Sequence, residues 1–249
     1  MLGLEPIHIV IVIGCAVLIG ISKTGLPTLG IFVAATMASV FPARESIGIV
    51  LPMLITADLI AVSYYRRSVN WKTLLSLLPW VLGGLFIGFL LLFFVESSRS
   101  IEVIIGAIVL IMVALQVFRD YGGAKWMNNM PRSIWFIGVM GTLAGFTTMI
   151  GNAAGPVMAI FLLAIALSKK EFIGTGAWFF LTVNLIKVPM YSGLGLITQD
   201  TIAFNAWLIP AILFGTYIGI KTLPLIPQRI FNIIILVLAA VGGLRLLFA

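Results

Sequence analysis

Long apolar runs with short polar punctuation fill this chain, and two of the runs are interrupted at their centres. The first interruption reads Gly20-Ile-Ser-Lys-Thr-Gly-Leu-Pro-Thr-Leu-Gly30, within an apolar stretch from Ile7 to Phe41. The second, 125 residues further on, reads Gly145-Phe-Thr-Thr-Met-Ile-Gly-Asn-Ala-Ala-Gly155-Pro156, within Ile134 to Leu167. In hydrocarbon every backbone N–H and C=O must be satisfied, so groups freed by such breaks take partners in protein, water or ligand. Six uninterrupted spans are predicted around them: Ser46–Tyr65, Thr73–Val95, Ile101–Phe118, Phe172–Tyr191, Ala203–Lys221 and Ile230–Phe248. Runs of about 20 residues cross a hydrocarbon core about 30 Å thick.

Each half thus carries one broken segment (7–41 and 134–167) followed by three spans. The halves are residues 1–118 and 133–249, joined by the polar loop 119–132. Thr56-Ala-Asp58-Leu-Ile matches Thr182-Val-Asn184-Leu-Ile at an offset of 126, and Pro79, Gly84 and Gly88 match Pro210, Gly215 and Gly219 at 131. Matches that keep their order at nearly constant spacing predict a duplication.

Loop charge predicts the path of the broken segments. If each crosses once, the loop bases divide seven to six between the two faces. If each turns back as a re-entrant hairpin, Arg66, Arg67, Lys72, Arg119, Lys125, Arg132, Lys169, Lys170, Lys221 and Arg229 share one side, opposed only by Arg44, Arg99 and Arg245. The second division is the one the positive-inside rule expects. Hairpin arms of about 13–15 residues, at 1.5 Å each, reach past the midplane without spanning. The expected fold is an all-α polytopic membrane protein of two inverted repeats, each a re-entrant hairpin plus three transmembrane helices. The tips enter from opposite faces and meet near the midplane, and both termini lie on the non-cytoplasmic side of the cell membrane. Paired breaks of this kind point to the binding site of an alternating-access transporter.

Composition agrees: 61% of residues are hydrophobic, 9% are charged, and the mean hydropathy is +1.21. The net charge of +7 resides in loop punctuation and forms no dense run, so it reads as topology and not as a nucleic-acid surface. Cys15 and His8 are single, which excludes an internal disulfide, a thiolate cluster and a His-based metal site within one chain. No metal and no cofactor is expected. No phosphate-binding glycine loop with GK[ST] is present, so the chain does not encode a nucleotide-driven pump. Glu5 stands where a signal peptide would be basic, which predicts that the first segment is retained.

Three ionisable side chains fall inside apolar segments: Lys23, Asp58 and Lys187. Charge in hydrocarbon is costly, so such groups face a cavity or a partner. Lys23 lies in the first break beside Ser22 and Thr24. Lys187 shares a helix face with Asn184 at i, i+3. The structural alternative for either lysine is an anchor snorkelling to an interface. Asp58 occupies the position equivalent to Asn184 and reads either as a proton-coupling group or as a salt-bridge partner of Lys23 or of Arg66 and Arg67. In the second break, Thr147, Thr148, Gly151 and Asn152 offer hydroxyl, amide and backbone donors at a half-helix N-terminus, where partial positive charge favours an anion. Two lysines and two such ends make a positive pocket, hence a small oxyanion as substrate. The pairs Gly84/Gly88, Gly141/Gly145 and Gly215/Gly219 at GxxxG spacing are predicted to pack helices within one chain, a homodimer being their second use.

The doubled break, the eight-segment length and above all Asn184-x-x-Lys187-x-Pro189-x-Tyr191 resemble the TauE/SafE family of sulfite and organosulfonate exporters across essentially the whole chain. The first break departs from the family's glycine-rich pattern, since Gly25-Leu-Pro27-Thr-Leu-Gly30 is introduced by Ser22-Lys23. What the resemblance implies is export of sulfite, sulfoacetate or a related organosulfur anion, coupled to protons. The expected function is a secondary transporter and not an enzyme, with the small anion and the lipid bilayer as partners and no nucleic acid. An intramembrane enzyme would need paired catalytic groups that the chain lacks, and a structural or assembly protein would leave the buried lysines without a purpose.

Overall fold

The structure is a computed structural model describing residues 5–27, 29–94 and 133–248, with positions 99, 103, 106, 107, 110, 111, 113, 114 and 117 between them. The expected connecting loop 119–132 and most of the expected span 101–118 lie outside the described residues. Secondary structure is helical, with no strand among the described residues. The order is α1 (Pro6–Thr24), α2 (Leu29–Val40), α3 (Ala43–Tyr65), α4 (Trp71–Phe94), α5 (Ile134–Gly151), α6 (Ala154–Ala164), α7 (Lys169–Gly193), α8 (Gln199–Thr222), a 3₁₀ turn (Leu223–Leu225) and α9 (Gln228–Phe248). Among them α1, α3, α4, α5, α7 and the segment Gln199–Leu225 are long and apolar enough to cross a membrane.

The breaks fall inside the two interrupted stretches, past their first glycines. Gly20 and Gly145 stay helical, and the chain stops at Gly25-Leu-Pro27 and at Asn152 instead. Asn152 ends α5 in the left-handed region at φ 53°, which asparagine tolerates better than most side chains. The arms are therefore unequal, 19 and 12 residues at the first break and 18 and 11 at the second, rather than the similar short arms expected. At other starts the sequence caps itself, as where the Ser168 hydroxyl and the Glu171 carboxylate exchange hydrogen bonds with each other's backbone N–H to open α7.

Side-chain contacts fix the directions of the helices. Lys23 and Thr24, late in α1, meet Asp58 and Tyr65, late in α3. Val12, Cys15 and Ile19 share a cluster with Ile49, Val50 and Met53, so α1 and α3 run the same way. The short α2 must then carry the chain back. Gly30 lies beside Ser22, and Phe41 meets Phe204 edge-on with ring centroids 6.2 Å apart, near the start of α8. Helix α7 runs against α3, since Gly48 faces Leu196, Asp58 faces Asn184 and Asn70 faces Thr175. Helix α5 runs along α4, with Gly141 against Leu77, Gly145 against Val81 and Gly88 against Met149. Phe136, at the start of α5, stacks on Phe161, late in α6, with ring centroids 5.9 Å apart, so the chain doubles back at both breaks. Arg66, Arg67, Lys72, Lys169, Lys170, Lys221 and Arg229 all lie at the end of the bundle away from the start of α1.

The glycine pairs are spent on contacts within the chain. A Cβ on Gly20 would stand 2.3 Å from the Ile212 carbonyl oxygen, and one on Gly145 2.1 Å from that of Val81. Such backbone approach is what small residues allow between membrane helices. Adjacent glycines on α4 make a direct test. A Cβ at Gly84 would lie 2.1 Å from the Thr142 oxygen, whereas nothing lies within 4 Å of one at Gly83. Gly84→Ala is expected to destabilise by about 3 kcal/mol, the upper end of ordinary overpacking. Gly83→Ala is expected to be neutral or to gain about 0.5 kcal/mol from helix propensity. Thermal unfolding of both variants in detergent checks the contrast, and equal melting temperatures would refute the close seam between α4 and α5.

Candidate functional site

The centre of the molecule is a polar contact between the two helices that carry the matched motif. Asp58 on α3 and Asn184 on α7 are both fully buried, and Asn184 Nδ2 donates to Asp58 Oδ2 at 2.7 Å. Lys23 reaches the same carboxylate from the end of α1, Nζ to Oδ1 2.9 Å, and lies 3.8 Å from the ring centroid of Phe180. Of the alternatives open for Asp58, the ion pair is therefore with Lys23. Neither lysine snorkels: Lys23 is 7% exposed and Lys187 0%. Asn184 Oδ1 is buried and has no hydrogen-bond partner among the described residues.

One turn along α7, Lys187 turns toward the second break. Its ammonium donates to the Thr148 carbonyl at 2.8 Å, to Thr148 Oγ1 at 3.3 Å and to Asn152 Oδ1. Three acceptors match the three N–H bonds of an ammonium, and none of them is charged. The Asn152 amide, in turn, donates to the Ile47 carbonyl at 3.1 Å, which ties the second tip to the start of α3. Helix α6 begins at this point with its first turn buried and with no side-chain cap, so its leading N–H groups face the interior.

Each tip is also held by a tyrosine. Tyr65 donates to the Thr24 carbonyl at 3.3 Å, and Tyr191 to the Met149 carbonyl at 2.6 Å. The tyrosines are 126 residues apart and their acceptors 125. Tyr191 is wholly buried. Each tip lies close to the Asp58–Asn184 contact, the first through Lys23 and the second through Lys187 one turn along α7.

The structure thus brings Lys23, Asp58 and Asn184 into one polar cluster and Lys187, Thr148 and Asn152 into a second, one turn along α7, which together form the central polar chain. Other candidates have different jobs. The Ser22 hydroxyl donates to the Pro27 carbonyl at 3.2 Å and braces the first break. Thr24 Oγ1 donates to the Gly20 carbonyl at 2.9 Å and the Thr216 carbonyl at 3.2 Å. Thr147 Oγ1 is turned back to the Leu143 carbonyl at 2.7 Å, and Gly151 is the last helical residue of α5. Sequence reasoning passes over Tyr65 and Phe180, although carrying the 126-residue offset on from Asp58 and Asn184 pairs Tyr65 with Tyr191.

A family model described as Sulfite exporter TauE/SafE matches residues 12–246, nearly the whole chain. The chain belongs to the TauE/SafE family. No curated protein and no solved structure matches it. Family membership and six membrane-length helices together make this TauE/SafE protein a multi-pass membrane protein of a transporter family. The match spans both breaks, so every residue of the central polar chain lies inside the region that defines the family.

Proposed function

We propose that this TauE/SafE protein is a secondary active exporter of a small sulfur oxyanion, such as sulfite or sulfoacetate, working by alternating access in the cell membrane. The observation that carries the reading is Lys187: a buried ammonium held by Thr148 and Asn152, with no carboxylate among the groups it donates to. An ammonium without a counter-charge in a low-dielectric interior is a site for an anion. The uncapped N-terminus of α6 adds N–H donors beside it. Lys23 is already neutralised by Asp58, so it contributes when that pair opens, and Asp58 is then the group that takes the coupling proton.

The transport cycle fits a duplicated and inverted chain. Supporting this, α3 and α7 carry the same motif, run in opposite directions and touch at equivalent residues. The seams repeat as well: Gly20 against Ile212 corresponds to Gly145 against Val81, with offsets of 125 and 131. The base-rich end is the cytoplasmic one and the termini lie on the other side. The test is counterflow in proteoliposomes with sulfite, thiosulfate, sulfoacetate, taurine and simple carboxylates. Exchange of one or more sulfur oxyanions above empty liposomes is expected, and no exchange of any anion under any pH gradient would overturn the function.

A further inference from the structure

The charge buried at the core restricts what the site can hold. Among the described residues the buried charged side chains are Lys23, Asp58 and Lys187, two bases and one acid, which leaves a net +1. Lys23 and Asp58 cancel across 2.9 Å, and the surplus resides on Lys187. Asp58 is met by Lys23 from α1 and by Asn184 from α7, with Lys187 one turn beyond. Helix α2 contains no ionisable residue. Helix α8 has Asp200 and Lys221 in its end turns and an exposed Tyr217. The state of Asp58 therefore sets the core charge: +1 when it is ionised and +2 when it is protonated.

Resting on the anion-site reading above, we propose that the site selects substrates by charge, taking a monoanion without a proton and a dianion only together with one proton bound by Asp58. A monoanion on Lys187 brings the core to zero. A dianion there would leave an unpaired negative charge in the interior, the arrangement that buried sites tolerate least. Protonation of Asp58 removes that surplus and releases the Lys23 ammonium to face the second negative charge. The groups for this switch are in place. A protonated carboxyl gains a donor, and Asn184 beside it holds a buried oxygen without a partner, so turning the amide over gives the new O–H an acceptor. Atoms and charge balance: one proton and one dianion enter, and both leave on the other side.

The test compares two anions of similar size in counterflow with the full-length protein, ethanesulfonate with one charge and sulfoacetate with two, between about pH 6 and pH 8. Wild-type exchange of ethanesulfonate is expected to be flat with pH. Sulfoacetate exchange is expected to be at least about tenfold slower at the alkaline end and to rise as pH falls. Asp58→Asn fixes the core at +2, so sulfoacetate exchange becomes independent of pH and ethanesulfonate exchange falls about tenfold or more. The double variant Lys23→Met/Asp58→Asn returns the core to +1 with no proton site. It is expected to lose sulfoacetate exchange at every pH, with ethanesulfonate exchange reduced but flat with pH, and it covers the case in which Asp58→Asn alone does not fold. Equal, pH-flat exchange of both anions by the wild type would overturn the proposal, as would a double variant that still exchanges sulfoacetate as the wild type does. Exchange of sulfite with neither probe would overturn the charge rule and leave the anion site standing. Absence of all anion exchange would remove the site itself.

Discussion

Lys187→Ala is expected to lower anion counterflow by at least about 100-fold while leaving the folded protein close to wild type in thermal stability. The activity loss follows from the charge: a charge-assisted contact from an ammonium to an oxyanion in a buried site supplies the 2.7 kcal/mol or so that a 100-fold change represents. The stability result follows from two opposing terms. Removing Lys187 leaves the Thr148 carbonyl, Thr148 Oγ1 and Asn152 Oδ1 without its hydrogen bonds, at about 1 kcal/mol each. It also removes a fully buried ammonium with no counter-ion, whose desolvation costs several kcal/mol on any scale. The terms nearly offset, so activity and stability should separate in this variant. Lys187→Arg should not rescue it, because a planar fork cannot satisfy three acceptors arranged around a compact ammonium. Counterflow at matched reconstitution, with melting curves on the same preparations, checks both halves. Activity within twofold of wild type would take Lys187 out of the site.

How much of this is legible in the sequence follows from what each signal depends on. The helices come through well, because a run that crosses lipid must be apolar from end to end: the expected span 73–95 lies within two residues of α4 (Trp71–Phe94). The motif pair is equally legible, and Asp58 and Asn184 do touch. The breaks fall within the stretches the sequence marks, but glycine has two uses there. At Gly20 and Gly145 it admits a neighbouring backbone inside an intact helix, and only the later Gly25-Leu-Pro27 and Asn152 end the helices. The hydroxyls are misread for a related reason. Thr147 and Thr24 sit in helices, where a hydroxyl can return to the carbonyl four residues back, and composition gives no sign of that choice. The asymmetry of the two lysines is visible: the counterpart of Lys187 at the 126-residue offset is Ala61. What no spacing can tell is the pairing, which gives one lysine a carboxylate and the other only neutral acceptors.

The second large effect concerns that pairing, and it is expected to be on folding rather than on transport alone. Lys23→Ala strands the fully buried Asp58 carboxylate with only the Asn184 amide as donor, and breaking a buried pair in this way costs about 3–5 kcal/mol. Asp58→Asn strands the Lys23 ammonium over the Phe180 ring and should cost a similar amount, softened by the cation–π contact. Changing both together, Lys23→Met with Asp58→Asn, removes the charges as a unit. That double variant should be near wild type in stability or above it, since apolar replacement of buried ion pairs is often stabilising by about 1–4 kcal/mol. Melting temperature and the monodisperse fraction in detergent, measured on all four proteins of the cycle, give the coupling energy; simple additivity would show that the pair does not act as one. Strong coupling would carry a consequence for function. A buried ion pair that stabilises no more than methionine and asparagine has no structural reason to be ionic. At this pair the end of the first hairpin arm, the core helix α3 and its antiparallel counterpart α7 all meet, so the charges matter for a state in which they separate. On the proposed function, separation would free an ammonium for substrate and a carboxylate for a proton at the same moment, so that one buried pair ties the two fluxes together.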